Sequence, residues 1–475
     1  MTERGELGLH PFLSLPDGWR VNTLKELTTK IGSGATPRGG SEAYLIERQT
    51  FALARSQNVF DRHFDGDSLV FISNSDAERL RNVWLQPGDV LLNITGDGVT
   101  FGRSCLVSHN ELPCAVNQHV AIIRCGSELE PGYLLGFLSL PETKKYIESF
   151  NAGGSRRAIT KGHIESFLIP KPPLEEQKRI AAILGALDNK IEVNRKVSKT
   201  LEESAQALFK SWFIDFDPVI DNALRAGNPI PDKLAAKVAI RREVMSRPAY
   251  RVPSYNSVFP DAFTDSQLGP IPKKWVTKRF EELSKVVGGG TPSTKNSQYW
   301  NNGMYHWATP KDLSGQRVPV LLTTERKLTF EGLQCVSSGL LPEGTLLLSS
   351  RAPIGYLAIA QTPVAVNQGF IAISPSEKVS NLFLLRWLQI HIDEVKARAS
   401  GTTFLEISKK NFRPIELIVP SKSEMSLYDK AAGSLFQQVI ENERASEKLV
   451  SLRDTLLPKL ISGELRVPED IEGLQ

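Results

Sequence analysis

The most constraining feature of this sequence is that it is written twice. The tetrapeptide AVNQ at residues 115–118 recurs letter for letter at residues 365–368. Weaker matches keep the same order around it: residues 15–19 with 271–275, 31–37 with 287–292, 85–92 with 341–348, and 167–170 with 417–420. Colinear matches with a slowly drifting offset are hard to produce by chance, and two long copies do not make a solenoid. The sequence therefore predicts a duplicated module with pseudo-twofold organisation.

The first part of each copy, about residues 15–170 and 271–420, predicts a mixed α/β domain. Short apolar runs rich in β-branched residues, such as 90–94, 119–123 and 345–348, alternate with P-G, G-D and P-x-G turn signals. We therefore expect an α/β fold in both copies.

The second part of each copy predicts one long helix. Pro172 and Pro173 suit a helix start, and Glu175 and Glu176 suit its first turn. Apolar residues then follow a spacing of three or four, namely Ile180, Ile183, Leu187, Ile191, Val197, Leu201, Leu208 and Trp212 in the first copy, and Tyr428, Ala431, Leu435, Val439, Ala445, Leu449, Leu452 and Leu456 in the second.

Both predicted seams are polar at the same position, Asn194 and Asn442. A lone Asn in an apolar seam weakens association but fixes the register of two paired helices. The alternative interpretation is that both asparagines face solvent. The 39 residues from Leu174 to Trp212 would form a rod of about 58 Å at 1.5 Å per residue.

Composition excludes several classes of protein without selecting one. In this chain of 475 residues, 57 basic side chains nearly balance 53 acidic ones, so the net charge of +4 permits nucleic-acid binding without arguing for it. The 4 cysteines form no C-x-x-C pair, which argues against a zinc site or a disulfide framework. No apolar run approaches a membrane span and the N-terminus lacks an apolar signal region, so we expect a cytoplasmic protein.

At this point the order of motifs resembles the specificity subunits of Type I restriction–modification systems. The motifs are a Trp, a Gly-rich T-P loop, a P-G-D-V-L strand, an N-Q strand, the stretch at residues 171–188 that begins K-P-P-L-E-E-Q, and the segment 456–465. The resemblance covers nearly the whole chain. The second copy departs from it at residues 421–425, where S-K-S-E-M replaces the P-P-L-x-E-Q start.

The resemblance implies two target-recognition domains, each reading one half of a split DNA sequence, separated by two long helices that form an antiparallel coiled coil. A rod of the length given above spans about 17 base pairs of B-DNA. The segments we predict are residues 1–171 and 271–420 for the two domains, 172–216 and 421–460 for the spacer helices, 217–270 for a proline-rich connector with a short helix near 233–244, and 461–475 for a C-terminal tail.

The resemblance also implies partners: double-stranded DNA, two modification subunits, and restriction subunits. S-adenosylmethionine, ATP and Mg²⁺ are expected on those partners, which methylate adenine and cleave DNA, and no cofactor on this chain. The motifs agree with a non-catalytic role, since the sequence has no N/D-P-P-Y/F loop and no H-E-x-x-H. The nearest approach to a P-loop, residues 34–41, has Gly40 where the lysine must stand.

Candidate base-reading residues lie where the two copies differ most. Arg and Lys pair with guanine, and Asn and Gln with adenine, in the major groove. The candidates are Arg48, Gln49, Arg55, Gln57, Asn58 and Arg62 in the first copy, and Asn301, Asn302, His306, Thr309, Lys311 and Arg317 in the second. The alternative for each is an ordinary solvated side chain.

Two further sets of polar residues recur in both copies. Glycine-containing loops before the last strand of each domain, with Arg156 and Arg157 in one and Thr402 in the other, suit contacts to phosphate. The N-Q pairs at residues 117–118 and 367–368 are identical, whereas readers of different half-sites should differ, so we expect them to have a structural hydrogen-bonding role.

Two other functions stay open at this level. A stand-alone methyltransferase or nuclease would need a cofactor or metal constellation that the sequence does not offer. A coiled-coil adaptor without a DNA role would explain the helices, and its complexes would be insensitive to salt, unlike those with DNA.

Overall fold

The computed structural model describes residues 15–151, 157–401 and 405–468. These residues divide into two compact units: the first is the described part of Met1–Glu192 and Glu447–Gln475, and the second is the described part of Val193–Ser446. Each unit therefore holds one domain and a part of each long helix, which differs from a division into consecutive segments.

The first unit contains a four-stranded sheet in the order β2-β11-β7-β9 and a three-stranded sheet in the order β10-β3-β6. Its strands are β1 (Arg20–Thr23), β2 (Thr28–Ser33), β3 (Phe51–Ala54), β4 (Val59–Phe60), β5 (His63–Phe64), β6 (Val70–Ile72), β7 (Val90–Asn93), β8 (Thr95–Gly96), β9 (Ser104–Leu106), β10 (Cys114–Val116), β11 (Val120–Cys125), β12 (Arg157–Ala158) and β13 (Leu168–Lys171). Its short helices are α1 (Asn74–Arg79), α2 (Pro131–Ser139), α3 (Pro141–Ser149) and α4 (Lys161–Glu165).

The second unit repeats this plan. Its main sheet has the order β17-β24-β21-β22-β19, and its smaller sheet has the order β20-β18-β23. Its strands are β14 (Phe263–Ser266), β15 (Gly269–Pro272), β16 (Val276–Arg279), β17 (Val286–Val287), β18 (Tyr305–Ala308), β19 (Val320–Leu321), β20 (Arg326–Leu328), β21 (Leu346–Ser349), β22 (Leu357–Ala360), β23 (Val364–Val366), β24 (Phe370–Ile373) and β25 (Glu416–Val419).

Ten further α-helices are found among the described residues. They are α5 (Leu174–Phe209), α6 (Asp217–Ala226), α7 (Ala235–Ser246), α8 (Phe280–Leu283), α9 (Pro310–Leu313), α10 (Phe330–Gln334), α11 (Asn381–Ile390), α12 (Ile392–Ala397), α13 (Lys409–Phe412) and α14 (Lys422–Ser462). Helix α5 continues into a π-helical turn over Lys210–Ile214.

The repeated topology confirms the duplicated mixed α/β fold that the sequence predicts. In the first unit β10 runs parallel to β3, with Ala115 opposite Leu53, and in the second β23 runs parallel to β18, with Ala365 opposite Trp307. Parallel pairing of neighbouring strands requires a crossover, so the same crossover is built twice.

One inner strand of each main sheet is buried on both faces. In β7, Val90 and Leu92 belong to one apolar cluster, whereas Leu91 belongs to the cluster on the other face. Because successive side chains of a strand point to opposite faces, a continuous apolar run marks a strand covered on both sides. The same division separates Leu346 from Leu347 in β21.

The long helices α5 and α14 pack antiparallel within each unit. In the first unit Arg453 donates to Asp188 over 3.0 Å. In the second, Asn194 Nδ2 donates to Ser446 Oγ over 3.2 Å, and the rings of Phe209 and Tyr428 lie 5.8 Å apart. The partner's number falls along α14 as the residue number rises along α5, which confirms the predicted antiparallel pairing.

The buried seam differs from the predicted one in its middle. Ile180, Ile191 and Val439 are buried, and Leu187, Leu201, Leu435 and Leu449 are partly buried. The assignment of Val197 and Leu452 to the seam is wrong, because these side chains are 44% and 48% exposed.

Polar residues occupy the helical positions that the apolar pattern missed. Between Ile191 and Ala205, the buried positions of α5 are Asn194, Ser198 and Glu202. The spacing of three and four residues continues through these polar positions. A prediction from apolar residues alone instead selects Val197 and Leu201, each one position earlier than the buried residue. Asn442 is half-buried, and its backbone carbonyl accepts from Ser446 Oγ over 2.7 Å.

Each domain is fastened to a long helix by a tryptophan and a glutamate. Trp19 Nε1 donates to Glu176, and Trp275 Nε1 donates to Glu424, over 3.1 Å in both units. Glu424 thus takes the place of Glu176 although the sequence motif around it is lost. Helix α14 begins at Lys422 and continues through Pro458 to Ser462, beyond the predicted end at residue 460.

The proline-rich connector holds more helix than the sequence predicts. Helix α7 lies where one short helix is expected, but α6 is missed, because Pro218 occupies its first turn, where proline is tolerated. Arg241 Nη2 and the Tyr250 hydroxyl both donate to the buried carboxylate of Asp221 over 2.6 Å. These hydrogen bonds fix the connector.

Candidate nucleic-acid interface

At one end of the strands, both units bring the same two backbone segments into contact. Ala35 N donates to Val116 O over 2.9 Å, and Gly290 N donates to Val366 O over 3.0 Å. A Cβ atom on Gly34 would lie 2.1 Å from Val116 O, and one on Gly289 would lie 1.6 Å from Val366 O. The glycine runs therefore let two chain segments touch, which no larger residue would allow.

The asparagines of the repeated N-Q pairs build a tight turn at this end. Asn117 Oδ1 accepts from His119 N over 3.2 Å, and Asn367 Oδ1 accepts from Gly369 N over 2.9 Å. Their own backbone amides donate to the last residue of the neighbouring parallel strand, Ala54 or Ala308, over 3.0 Å. The structural role predicted for the two asparagines is confirmed.

The glutamines of the same pairs are exposed, and the carbonyl oxygen of each side chain accepts a hydrogen bond. Thr36 Oγ1 donates to Gln118 Oε1, and Thr291 Oγ1 donates to Gln368 Oε1. The Nε2 atoms of both glutamines have no partner within the part of the chain that the structure describes. We call this end of the strands, with residues 34–36 and 117–119 in one unit and 289–291 and 367–369 in the other, the strand-end edge.

Loops that carry charge border the strand-end edge in the first unit. Thr95 Oγ1 lies 2.7 Å from His119 Nδ1. Strand β8 pairs with β12, which places Arg157 opposite Gly96 and its guanidinium over Gly98. Asp97 accepts from the backbone and hydroxyl of Thr100, and these hydrogen bonds lower the pKa of its carboxyl, so the loop is fixed by a carboxylate.

In the second unit the corresponding border holds other charged residues. Arg351, two residues beyond the end of β21, lies 3.6 Å from Glu406. The Lys409 side chain lies over Gly288, where a Cβ atom would approach Nζ to 2.8 Å. The sequence pattern does not single out Arg351 and Lys409, because only the folded chain brings them next to the G-G-G-T turn.

The predicted readers that follow the parallel strands reach the strand-end edge. Arg55 and Gln57 follow β3, and Thr309 and Lys311 follow β18, so these residues are placed equivalently in the two units. The Arg55 guanidinium lies 5.7 Å from the Tyr44 ring centre and its Nη2 donates to Ser68 O over 3.1 Å. Lys311 Nζ lies 2.8 Å from Glu325. The bond to Glu325 raises the pKa of Lys311, which therefore stays charged at neutral pH.

Other predicted readers lie at the opposite end of the same strands. Arg48 and Gln49 precede β3, and Asn301 and Asn302 precede β18. All four are exposed. The structure therefore separates them from the strand-end edge instead of joining all candidates in one surface.

His306 and Arg317 belong to neither group. His306 lies within β18, half-buried, with Nδ1 3.2 Å from Thr324 Oγ1. Burial, followed by the nearby Lys327, lowers the pKa of His306. Arg317 is exposed in the loop between α9 and β19.

The prediction that Asn58 and Arg62 read bases is wrong, because both side chains are buried. Asn58 is 0% exposed, and its amide bonds to Arg55 N, Asp65 O and Ser68 Oγ. The Arg62 side chain is 4% exposed and pairs with Asp188 at 2.6 Å. Hydrogen bonds inside the unit use these polar groups, and we leave both residues out of the candidate interface.

Part of the predicted phosphate-binding set lies outside the described residues, namely Arg156 and Thr402. Arg157 is described, and its guanidinium pairs with Glu148 at 2.6 Å. Over the residues 15–151, 157–401 and 405–468 we find no group of three or more His, Cys, Asp or Glu that could hold a metal ion. No helix among them is long and apolar enough to cross a membrane.

Comparison with known proteins places this geometry in a family. The profile described as "Type I restriction modification DNA specificity domain" matches residues 16–203 and 272–450, one match for each copy. These two ranges together make up most of the chain.

Individual relatives carry the same description. The chain is 27% identical over 406 residues, 80% of its own length and 87% of the relative's, to the Type I restriction enzyme HindI specificity subunit of Haemophilus influenzae. It is 35% identical over 190 residues, 40% of its length and 44% of the relative's, to the MjaIX specificity subunit of Methanocaldococcus jannaschii. The crystal structure of the S subunit from M. genitalium shares the fold, with a TM-score of 0.51 at 13% identity, over 94% of this chain and 97% of that one.

Proposed function

Since the chain belongs to the family of Type I restriction–modification DNA specificity domains, we propose that it reads a DNA sequence in two parts and directs partner subunits to it. Recognition of a DNA sequence within a Type I restriction–modification system is the function of this family of subunits. The proposal adds that each of the two units reads one half-site.

One observation carries this proposal: the strand-end edge has the same backbone in both units but different side chains beside it. The turn residues Gly34 and Gly289 allow the same close approach, whereas Arg55 and Gln57 stand where Thr309 and Lys311 stand in the other unit. A constant frame with variable polar groups suits two readers of different short sequences, because contacts to base edges specify and contacts to phosphate position.

The long helices support a spacer role. Helix α5 has 36 residues and helix α14 has 41, or roughly 54 and 62 Å at 1.5 Å per residue. The two helices pack antiparallel, and the buried hydrogen bond between Asn194 and Ser446 fixes their register. We propose that this register sets the number of unread base pairs between the half-sites.

We further propose two modification subunits and restriction subunits as partners. Methylation of adenine with S-adenosylmethionine and cleavage driven by ATP and Mg²⁺ would take place on them. This chain would contribute sequence choice and no chemistry, in agreement with the lack of a catalytic motif in its sequence.

The test is an exchange of one reader. Residues 41–80 are replaced by the corresponding segment of a related specificity subunit, and adenine methylation is mapped by single-molecule sequencing in cells that contain the modification subunits. We expect a new base preference in one half-site and an unchanged other half. The matched control exchanges residues 295–330 and should alter the second half only. A change of both halves by either exchange would contradict the assignment of one unit to one half-site.

A further inference from the structure

The two exposed glutamines at the strand-end edge have no part in the function described so far. Gln118 and Gln368 occupy the same position in the repeat, directly after the asparagine of each turn. A threonine hydroxyl contacts the carbonyl end of each side chain, from Thr36 in one unit and Thr291 in the other. The same pair of side chains is thus assembled twice from distant parts of the sequence.

The threonine contact uses one of the two lone pairs of Oε1 and fixes the side chain, and it leaves Nε2 as a donor without a partner among the described residues. Bidentate recognition of adenine needs both the carbonyl and the amino group of the side chain. Because the hydroxyl contacts Oε1, the Nε2 atom of Gln118 or Gln368 remains as a fixed hydrogen-bond donor. A single donor of this kind suits a phosphate oxygen, which requires no matching acceptor.

The identity of the two pairs points to the same ligand. Two units that read different half-sites share only the parts of DNA that do not depend on sequence, and the sugar–phosphate backbone is the main one. Positive charge lies close by in both units. Arg38 is exposed two residues after Thr36, and Lys409 is exposed with its side chain over Gly288, three residues before Thr291.

We propose that Gln118 and Gln368 each donate to a backbone phosphate at equivalent places in the two half-sites, with Thr36 and Thr291 holding them in position. These contacts orient each unit on the duplex and carry no sequence preference. This inference rests on the proposed function and deepens it by assigning the phosphate contact of the same edge.

The experiment uses the full chain in complex with its modification subunits and a duplex that carries the methylated site found by the mapping above. Gln118→Ala and Gln368→Ala should each weaken binding about fivefold and leave the base preference unchanged. Gln118→Glu should weaken binding more, because a carboxylate repels phosphate. Thr36→Val should weaken binding less than Gln118→Ala, and combining the two should add little, because both act through one contact.

A scan of the duplex with single neutral methylphosphonates identifies the phosphate itself. One such substitution in each half-site should weaken the wild type about fivefold and should not weaken further the variant that lacks the corresponding glutamine. Gln86→Ala is the matched control, since Gln86 is an exposed glutamine before the start of β7, at the far end of that strand. It should bind like the wild type in every measurement.

The outcomes separate this inference from the proposed function. If the wild type binds the site and both glutamine variants bind equally well, the phosphate contact is refuted and the proposed function stands. If a glutamine variant alters the base preference, the residue reads a base and the inference is again refuted. If the wild-type complex does not bind the methylated site, both proposals fail.

Discussion

The guanidinium of Arg386 donates two hydrogen bonds to the carboxylate of Glu202, over 2.6 and 2.7 Å, and the two side chains are 1% and 7% exposed. Arg386 lies on α11 of the second domain and Glu202 on the long helix α5. Burial lowers the pKa of Arg386, but the hydrogen bonds and charge of Glu202 outweigh it and raise the pKa overall. Arg386 therefore stays charged, and its contacts with Glu202 join the domain to the helix.

Removing one partner of this ion pair should lower the free energy of unfolding substantially. Glu202→Ala leaves the buried charge of Arg386 without compensation, and we expect a loss of about 3–5 kcal/mol in the free energy of unfolding of the second unit. Urea unfolding followed by tryptophan fluorescence measures it. The double variant Glu202→Leu with Arg386→Met should recover much of the loss, because it removes both charges. A double variant as unstable as the single one would contradict this explanation.

The polar middle of the helix seam should respond in opposite directions at two nearby positions. Asn194 donates across the seam to Ser446, so Asn194→Ala should destabilise the helix pair by about 1 kcal/mol. Ser198 Oγ is buried and has no partner among the described residues, so Ser198→Ala should stabilise it by about 0.5–1 kcal/mol. Chemical unfolding of both variants under one condition gives the comparison, and a loss of stability in Ser198→Ala would show that this hydroxyl does find a partner.

Helix length should set the distance between the half-sites. Inserting four residues after Asn194 and four at the facing position in α14, after Ser446, lengthens both helices by about 6 Å while preserving their pairing. We expect methylation at sites whose spacer is about two base pairs longer, with both half-sites unchanged. Sequencing of methylated adenines provides the measurement, and the same insertion in α7 of the connector is the control. An unchanged spacer in the doubly lengthened chain would refute the spacer role.

One thiol should react in the native protein. Burial raises the pKa of Cys114 and of Cys125 to about 12 and that of Cys105 further, so these thiols remain protonated at neutral pH. Cys335 is exposed at the end of α10. Mass spectrometry after brief maleimide treatment should find one label per native chain, on Cys335, and four after denaturation. Cys335→Ser should abolish the native label, whereas rapid labelling of Cys105 would contradict its burial.

Several features could be predicted from the sequence because they depend on local pattern and on the repeat. The AVNQ identity revealed the duplication, and the apolar run from Val90 indicated a strand. The spacing from Ile180 to Trp212 indicated the long helix, although the polar occupants at Ser198 and Glu202 shifted the predicted seam. An apolar pattern cannot reveal a buried position that is filled by a polar residue.

The sequence by itself determined that there are two copies of an α/β domain, each followed by a long helix, since apolar periodicity and turn chemistry act over a few residues. Only the tertiary structure decided which polar residues face outward. It turned Asn58 and Arg62 inward and brought Thr36 to Gln118 and Lys409 to Gly288. The contacts of Arg62, Thr36 and Lys409 join segments far apart in the chain, and their energies depend on distances that exist only once the strands have paired.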